Sequence, residues 1–266
     1  MRVLRTAAVL AGAAAVRATV VTPRRLRVHD VPLSLPGWPR ELDGLRVAVV
    51  GDVHAGSPWV DLARVRRVVQ RVNDARPDVV LLLGDHLADV VGGTHLEAEQ
   101  VAQALAGIDA PTAGVLGNHD WYAGGHRVRA ALEAHGLPVL EESALPLLDG
   151  RLWIAGVGDL WERSPDVTAA MAQVPDGATT ILLTHNPDVV VDVPSHVPLV
   201  LAGHTHGGQI RVLGRGVHRL SERSANRWSH GWYAADRLYV TPGIGTSTLP
   251  VRTVVPQVPV LVLGAA

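Results

Sequence analysis

The chain has 266 residues, 47% hydrophobic and 18% charged, which suits one large globular domain with a sizeable core and excludes a disordered chain. A net charge of -1 offers no basic field for nucleic acid, so a nucleic-acid partner is not expected. Cysteine is absent, which excludes disulfides and thiol chemistry, so any metal must be held by nitrogen and oxygen ligands, and the 13 His residues raise that question directly.

Residues 1–26 stand apart from the rest. Arg2 and Arg5 precede an apolar run from Ala7 to Val16, Arg17 interrupts it, Ala18 to Val21 resumes it, and no acidic residue occurs before Asp30. Neither run reaches the about 20 apolar residues that a membrane span wants. The segment reads as the apolar part of a signal peptide, as an interfacial helix drawn to anionic lipid, or as a frayed tail. The expected placement is membrane-associated or cytoplasmic, with export of the N-terminus left open. No linker, low-complexity stretch or long-period repeat breaks residues 27–266, which read as one domain.

Pro32, Pro36 and Pro39 keep the stretch after Arg24 extended. Leu45 to Val50 is the first strand expected, ending in Gly51-Asp52-Val53-His54. A helix is predicted over 61–75, with Leu62, Val65, Val68, Val69 and Val72 on one face. Asp78 to Leu83 is a nearly all-apolar strand, as expected where both faces are covered, and it runs into Gly84-Asp85. A helix over 95–105 and a strand over 112–116 follow, the strand ending in Gly117-Asn118-His119-Asp120. A helix is expected over 128–135 and a shorter one over 166–173. Strands are expected at 139–140, 145–148, 152–157, 180–183, 199–201, 209–213, 237–241 and 258–263. The strand over 180–183 runs into Thr184-His185, and that over 199–201 into Gly203-His204-Thr205-His206-Gly207-Gly208-Gln209. Strand and helix alternation followed by a strand-rich half argues for an α/β fold of two sheets with helices outside.

The polar residues therefore collect where strands end, the place where open α/β sheets carry their sites. Asp52, His54, Asp85, Asn118, His119, His185, His204 and His206 supply two carboxylates, one amide and five imidazoles. One ion takes about four to six ligands, so this set suits two. Mixed carboxylate and imidazole donors fit manganese, iron or zinc and do not suit calcium. Such a pair, about 3.5–4 Å apart, can clamp both oxygens of an in-line displacement at phosphorus.

These blocks, in this order, resemble the five motifs of the calcineurin-like metallophosphoesterases, over Val47 to Gln209. Gly243-Ile244-Gly245-Thr246-Ser247 and Leu249-Pro250-Val251-Arg252 resemble the C-terminal block of a bacterial branch, the membrane-associated phosphodiesterases typified by YaeI and YkuE. The resemblance implies a four-layer α/β/β/α sandwich of two mixed sheets with flanking helices. It implies a dinuclear centre with Asp52, His54 and His206 on one divalent ion, Asn118, His185 and His204 on the other, and Asp85 bridging. It implies attack on phosphorus by a hydroxide between the ions, with His119 at the leaving oxygen and Asp120 orienting His119. The Asp-Arg pair of the family's protein phosphatases is missing, since His86 follows Asp85. That favours a phosphodiester or a pyrophosphate, lipid- or nucleotide-linked, over a phosphoprotein. A phosphomonoesterase and a non-catalytic metal-binding scaffold of the same fold are the alternatives, and oligomeric state stays open.

His86, Trp121, Arg211 and Arg252 are candidate substrate contacts, and Trp59 is a second candidate wall for an apolar substrate part. Asp89 reads as a turn or cap, and His218 matches none of the motifs and reads as surface.

Overall fold

The computed structural model describes residues 2–88, 92–212, 215–216 and 227–266, so Asp89 and His218 lie outside the described residues. Helix α1 (Arg2–Val16) continues through a π-helical stretch, Arg17–Val21, into α2 (Thr22–Arg24). The two apolar runs, each too short alone, are joined across Arg17, because one arginine costs a helix little backbone propensity. Arg5–Arg24 spans 20 residues with a mean hydropathy of 1.4, long and apolar enough to cross a membrane, as a signal sequence also would be.

Sheet one has the order β1 (Arg27–Leu35), β13 (Gln257–Ala265), β2 (Leu45–Val50), β3 (Val79–Leu83), β4 (Thr112–Val115). It is parallel except where β13 meets β2, with Val260 opposite Ala48. Sheet two has the order β11 (Gly231–Tyr233), β12 (Leu238–Val240), β8 (Leu199–Ala202), β7 (Thr180–Leu183), β6 (Leu152–Gly156), β5 (Ser143–Leu147). It is parallel from β12 to β6 and antiparallel at both edges. A two-stranded ribbon, β9 (Arg211–Val212) with β10 (Arg215–Gly216), stands beside it.

The apolar strands explain the layering. Side chains alternate faces along a strand, so a strand covered on both sides must be apolar throughout. Val47, Val49, Val79, Leu81 and Leu83 face Ile181, Leu183, Leu199 and Leu201 between the two sheets. The alternate residues Ala48, Val50, Val80 and Leu82 face outward, under α3 (Leu62–Asp74), α4 (Ala98–Leu105) and α6 (Gly125–Ala134). On the far side, Leu182, Val200 and Ala202 pack under α7 (Val167–Met171) and the 3-10 turn Pro187–Asp192. The result is helices, sheet, sheet, helices, an α/β/β/α sandwich.

Caps set the helix ends. The Asp61 carboxylate accepts Arg64 N–H at 2.7 Å and starts α3. The helix expected from 95 begins only at Ala98, because Glu97 and Gln100 form a capping box there. Two expectations fail for local reasons. Val139-Leu140 is no strand; it makes a single bridge to Gly114. Asn118–Tyr122, for which no helix is expected, is the short helix α5, started by Gly117.

Candidate metal centre

All five motif strands end at one edge of the paired sheets. Sheet one delivers Asp52 after β2, Asp85 after β3 and Asn118 on α5; sheet two delivers His185 after β7 and His204 and His206 after β8. Asp85 sits in the middle. Its Oδ2 lies 3.3 Å from His54 Nε2 and 3.3 Å from His185 Nε2. Its Oδ1 accepts the His119 backbone N–H at 2.9 Å.

On one flank, His54 Nε2 is 3.1 Å from His206 Nε2, and His206 Nε2 is 3.6 Å from Asp52 Oδ1. On the other, His204 Nδ1 is 3.1 Å from Asn118 Oδ1 and 3.3 Å from His185 Nε2. His185 Nδ1 donates to the Leu83 carbonyl at 2.7 Å, which turns its Nε2 toward Asp85.

The donor chemistry fits a cation. Ligand atoms of Asp52, His54, Asp85 and His206 all lie within 4.8 Å of one another, and all four residues are buried. Asp52 Oδ2 is buried without a hydrogen-bond partner, as are the outer Nδ1 atoms of His54 and His206. Lone pairs of buried groups facing each other at 3.1 Å are costly unless something positive lies between them. The cluster suits divalent metal ions.

Charge coupling agrees. Burial pushes the Asp52 carboxyl up to about 6, although His185 and His54 pull it back. Burial alone would raise Asp85 too, yet His185 and His54 hold it well below the usual carboxylate range. Burial disfavours a proton on His185, but Asp85, Asp52 and Asp159 outweigh it and raise that imidazole well above its ordinary value. Burial, with His54 and Arg252 adding to it, keeps His206 well below. Burial also lowers His119, so this imidazole is neutral near pH 7.

The backbone is bent to bring these groups in. Asp52, His54, Asp85, His204 and His206 all have positive φ, from 46° to 69°. Each costs on the order of 1–3 kcal/mol for a residue with a side chain, and such strain concentrates at functional sites. Two glycines make the approach feasible. A Cβ on Gly117 would lie 2.3 Å from Asp85 Oδ1, and one on Gly243 would lie 2.5 Å from Asp52 Cβ.

Several expected roles change. Asp120 does not touch the His119 ring. Its carboxylate accepts three backbone N–H groups, from His86 at 2.8 Å, Leu87 at 3.1 Å and Gly117 at 3.0 Å, tying the β3 loop to α5. His119 Nδ1 is buried without a partner, and its Nε2 lies 3.4 Å from Ser247 Oγ. Arg252 is fully buried, and its guanidinium donates to the carbonyls of Val254, Gly243, Gly245 and Pro242, so it holds the C-terminal loop and presents nothing to a substrate. His86 is buried, with Nε2 3.3 Å from the Val115 carbonyl, away from Asp85 because adjacent side chains diverge. The Trp121 ring packs on Gly125, with the Arg163 guanidinium 4.6 Å from its centroid. Arg211 lies 3.1 Å from His230 Nδ1 and 3.3 Å from the Gly207 carbonyl. Trp59 turns to the N-terminal helix, where its Nε1 donates to the Thr19 carbonyl.

Other residues border the centre unannounced. The Trp161 ring stands edge-on to His204 at 4.3 Å and the Tyr122 ring edge-on to His119 at 5.4 Å. Asp159 is buried, accepts Trp161 and Glu162 N–H through Oδ1, and is raised by burial. A signal for it existed: Gly158-Asp159 follows β6 as Gly51-Asp52 and Gly84-Asp85 follow β2 and β3.

The profile of the calcineurin-like phosphoesterase family matches residues 45–208, from the start of β2 past His206. The chain is 29% identical over 233 residues to the uncharacterized metallophosphoesterase YkuE of Bacillus subtilis, covering 84% of this chain and 79% of that protein. It is 31% identical over 214 residues to the phosphodiesterase YaeI of Escherichia coli, covering 76% and 75%. It is 30% identical over 252 residues to a transmembrane protein with metallophosphoesterase domain of Danio rerio, covering 85% of this chain but 54% of that protein. Among solved structures, TT1561 of Thermus thermophilus aligns with a TM-score of 0.44 at 17% identity, over 59% of this chain and 80% of that one. The chain belongs to the calcineurin-like phosphoesterase family and is a metal-dependent hydrolase of phosphoester bonds.

Proposed function

We propose that the protein hydrolyses a phosphodiester or a pyrophosphate at a dinuclear metal centre held by residues 52–206 of the domain over 27–266. The observation that carries this is Asp85 Oδ2, placed 3.3 Å from a histidine on each flank. Asp52, His54 and His206 would hold one ion, Asn118, His185 and His204 the other, and Asp85 both. Two divalent ions of the manganese, iron or zinc type supply Lewis-acid polarisation of phosphoryl oxygens and activation of water when bound.

The chain's own groups do the rest. His119, lowered by burial, has its Nε2 3.4 Å from Ser247 Oγ. With its proton on that nitrogen, a neutral ring there would stabilise charge on a departing oxygen without needing an acidic medium. Trp161 and Tyr122 shield His204 and His119 from water at the rim, strengthening each interaction inside. Arg252 is spent on carbonyls and gives a phosphate no arginine grip. A diester, with one negative charge, needs that grip less than a monoester. The name of YaeI, a phosphodiesterase, points the same way. The N-terminal helix would bring the domain to a membrane surface.

The test is hydrolysis of a chromogenic diester beside its monoester, by wild type and Asp85→Asn, metal-stripped and then refilled with manganese. Metal-dependent diester cleavage is expected, with Asp85→Asn slower by roughly a hundredfold or more. Cleavage of the monoester alone would turn the reading to a phosphatase, and no turnover by folded, metal-loaded protein would leave a binding scaffold.

A further inference from the structure

Two loops leave the metal centre, and both end on the N-terminal helix. The first follows His54 and closes at Ser57 to Val60, where Ser57 N–H donates to His54 O at 2.9 Å. Its tip carries Trp59, whose Nε1 donates to the Thr19 carbonyl at 2.8 Å while the Arg24 guanidinium lies 3.7 Å from the ring centroid. The second runs from Gly243, against Asp52, to Arg252, whose backbone N–H donates to the Ala18 carbonyl at 2.9 Å. Midway along it Ser247 stands 3.4 Å from His119 Nε2. Leu249 follows two residues later with its side chain 47% exposed, and Trp59 is 38% exposed. Two residues span at most about 7 Å, so Leu249 lies next to the leaving-group side of the centre.

The helix, the two loop tips and the mouth of the centre therefore share one side of the molecule. That side is apolar at its tips and basic at its base. Arg24, Arg25 and Arg27 cluster where the helix meets the domain, and no acidic residue precedes Asp30. The helix itself is only 11% buried over its apolar window, so the domain does not cover it. A 20-residue apolar helix ending in arginines, beside an exposed Trp and Leu, matches the cross-section of an anionic bilayer: acyl chains for the helix, the headgroup layer for Trp and Arg.

We propose that this face seats on an anionic lipid bilayer, with the N-terminal helix inserted and Trp59 and Leu249 at headgroup depth, so that the centre opens toward the membrane and takes phosphoesters carried on lipid headgroups. The docking follows from the face alone; the substrate class rests on the phosphoesterase reading above.

The chain has no cysteine, so one introduced thiol labels one place. Leu249→Cys and Asp176→Cys, each in the full chain, are labelled with an environment-sensitive fluorophore. Asp176 is exposed just before β7, at the strand end opposite His185. The proteins are diluted from detergent into vesicles of phosphatidylcholine and phosphatidylglycerol, with and without bromine-labelled acyl chains. The label at 249 is expected to shift to the blue and to lose intensity to the brominated lipid, and the label at 176 to do neither. Vesicle binding with a silent 249 label would mean that the helix anchors a domain hanging clear of the bilayer, and overturns the proposal. So would equal responses at both positions, no binding at all, or a concentration-dependent shift at 249 without lipid, which would mark self-association. For the substrate class, Leu249→Asp is compared with wild type on a diacylglycerol nitrophenyl phosphate in the same vesicles and on a soluble nitrophenyl diester. The variant is expected to lose rate on the lipid-borne ester only; an unchanged ratio overturns that half. Insertion of 249 without hydrolysis of either ester would sink the phosphoesterase reading and leave the docking intact.

Discussion

The two flanks of Asp85 are built by different means. On the His185 flank a backbone hydrogen bond does the orienting: Leu83 O takes the Nδ1 proton and the ring has one useful tautomer. On the His54 flank the outer nitrogens of His54 and His206 have no such partner, and position comes from packing. The two rings stack at 4.9 Å, His119 closes on His54 edge-on at 4.8 Å, and Gly243 lies against Asp52. One flank is therefore set by a bond that a strand end supplies. The other is set by shape, and shape depends on the C-terminal loop, far away in sequence.

The sharpest way to test that contrast is through the residue that packs on the His54 flank without being one of the proposed ligands. His119→Ala should leave both sets of ligands in place while slowing hydrolysis by roughly 10²–10⁴-fold, most for poor leaving groups. Parallel loss of metal, read by elemental analysis, would show that the ring holds the His54 flank together.

Gly243→Ala attacks the packed flank directly, at a backbone φ of 68° and with Asp52 in the way. We expect a stability loss of about 1–3 kcal/mol by denaturant unfolding, together with weakened metal retention. Retention unchanged by titration would mean that the loop can retreat and that shape matters less than supposed.

Asp120→Ala removes the acceptor for three N–H groups that lash the β3 loop to α5, the elements delivering Asp85 and Asn118. A loss of about 1–3 kcal/mol by denaturant unfolding is expected from leaving buried donors unpaired, and the Asp120 charge, which raises His119, goes with it. An unchanged unfolding midpoint would mean that the carboxylate does not tie the two loops together.

The smallest effect is one of pH on the metal-stripped protein. Asp52, up to about 6, and His185, well above its ordinary value, both keep a proton in the fold that they lose more easily when unfolded. A raised pKa stabilises below the unfolded value and that stability goes as pH rises through the folded one. The stripped protein should thus lose Tm above about pH 6.5, where His185 still holds the proton that the unfolded chain sheds; Asp52's share of the loss falls lower, between 3.8 and about 6, and metal affinity climbs as both groups shed protons to bind. A Tm that rises there instead would contradict the assigned protonation.

Much of this site was legible in one dimension. Strands such as Val79–Leu83, apolar on both faces, announce a buried parallel sheet, and the Asp, Asn or His closing each announces where chemistry collects. The Asp120 role was not legible, because adjacency in Asn118-His119-Asp120 says nothing of which way a short helix turns its side chains. Nor was the fate of Arg252, whose exposure depends on a loop folding over it.

The ligand types, the order in which strands present them and the two-faced core follow from local pattern, because alternation and backbone chemistry act within a few residues. That Gly243 backs Asp52, that Trp161 covers His204 and that Trp59 and Leu249 reach the side bearing the N-terminal helix follows from packing alone. Those contacts join residues tens to hundreds of positions apart. They arise from how two sheets stack and how loops at their shared edge compete for the same space, which no local pattern encodes.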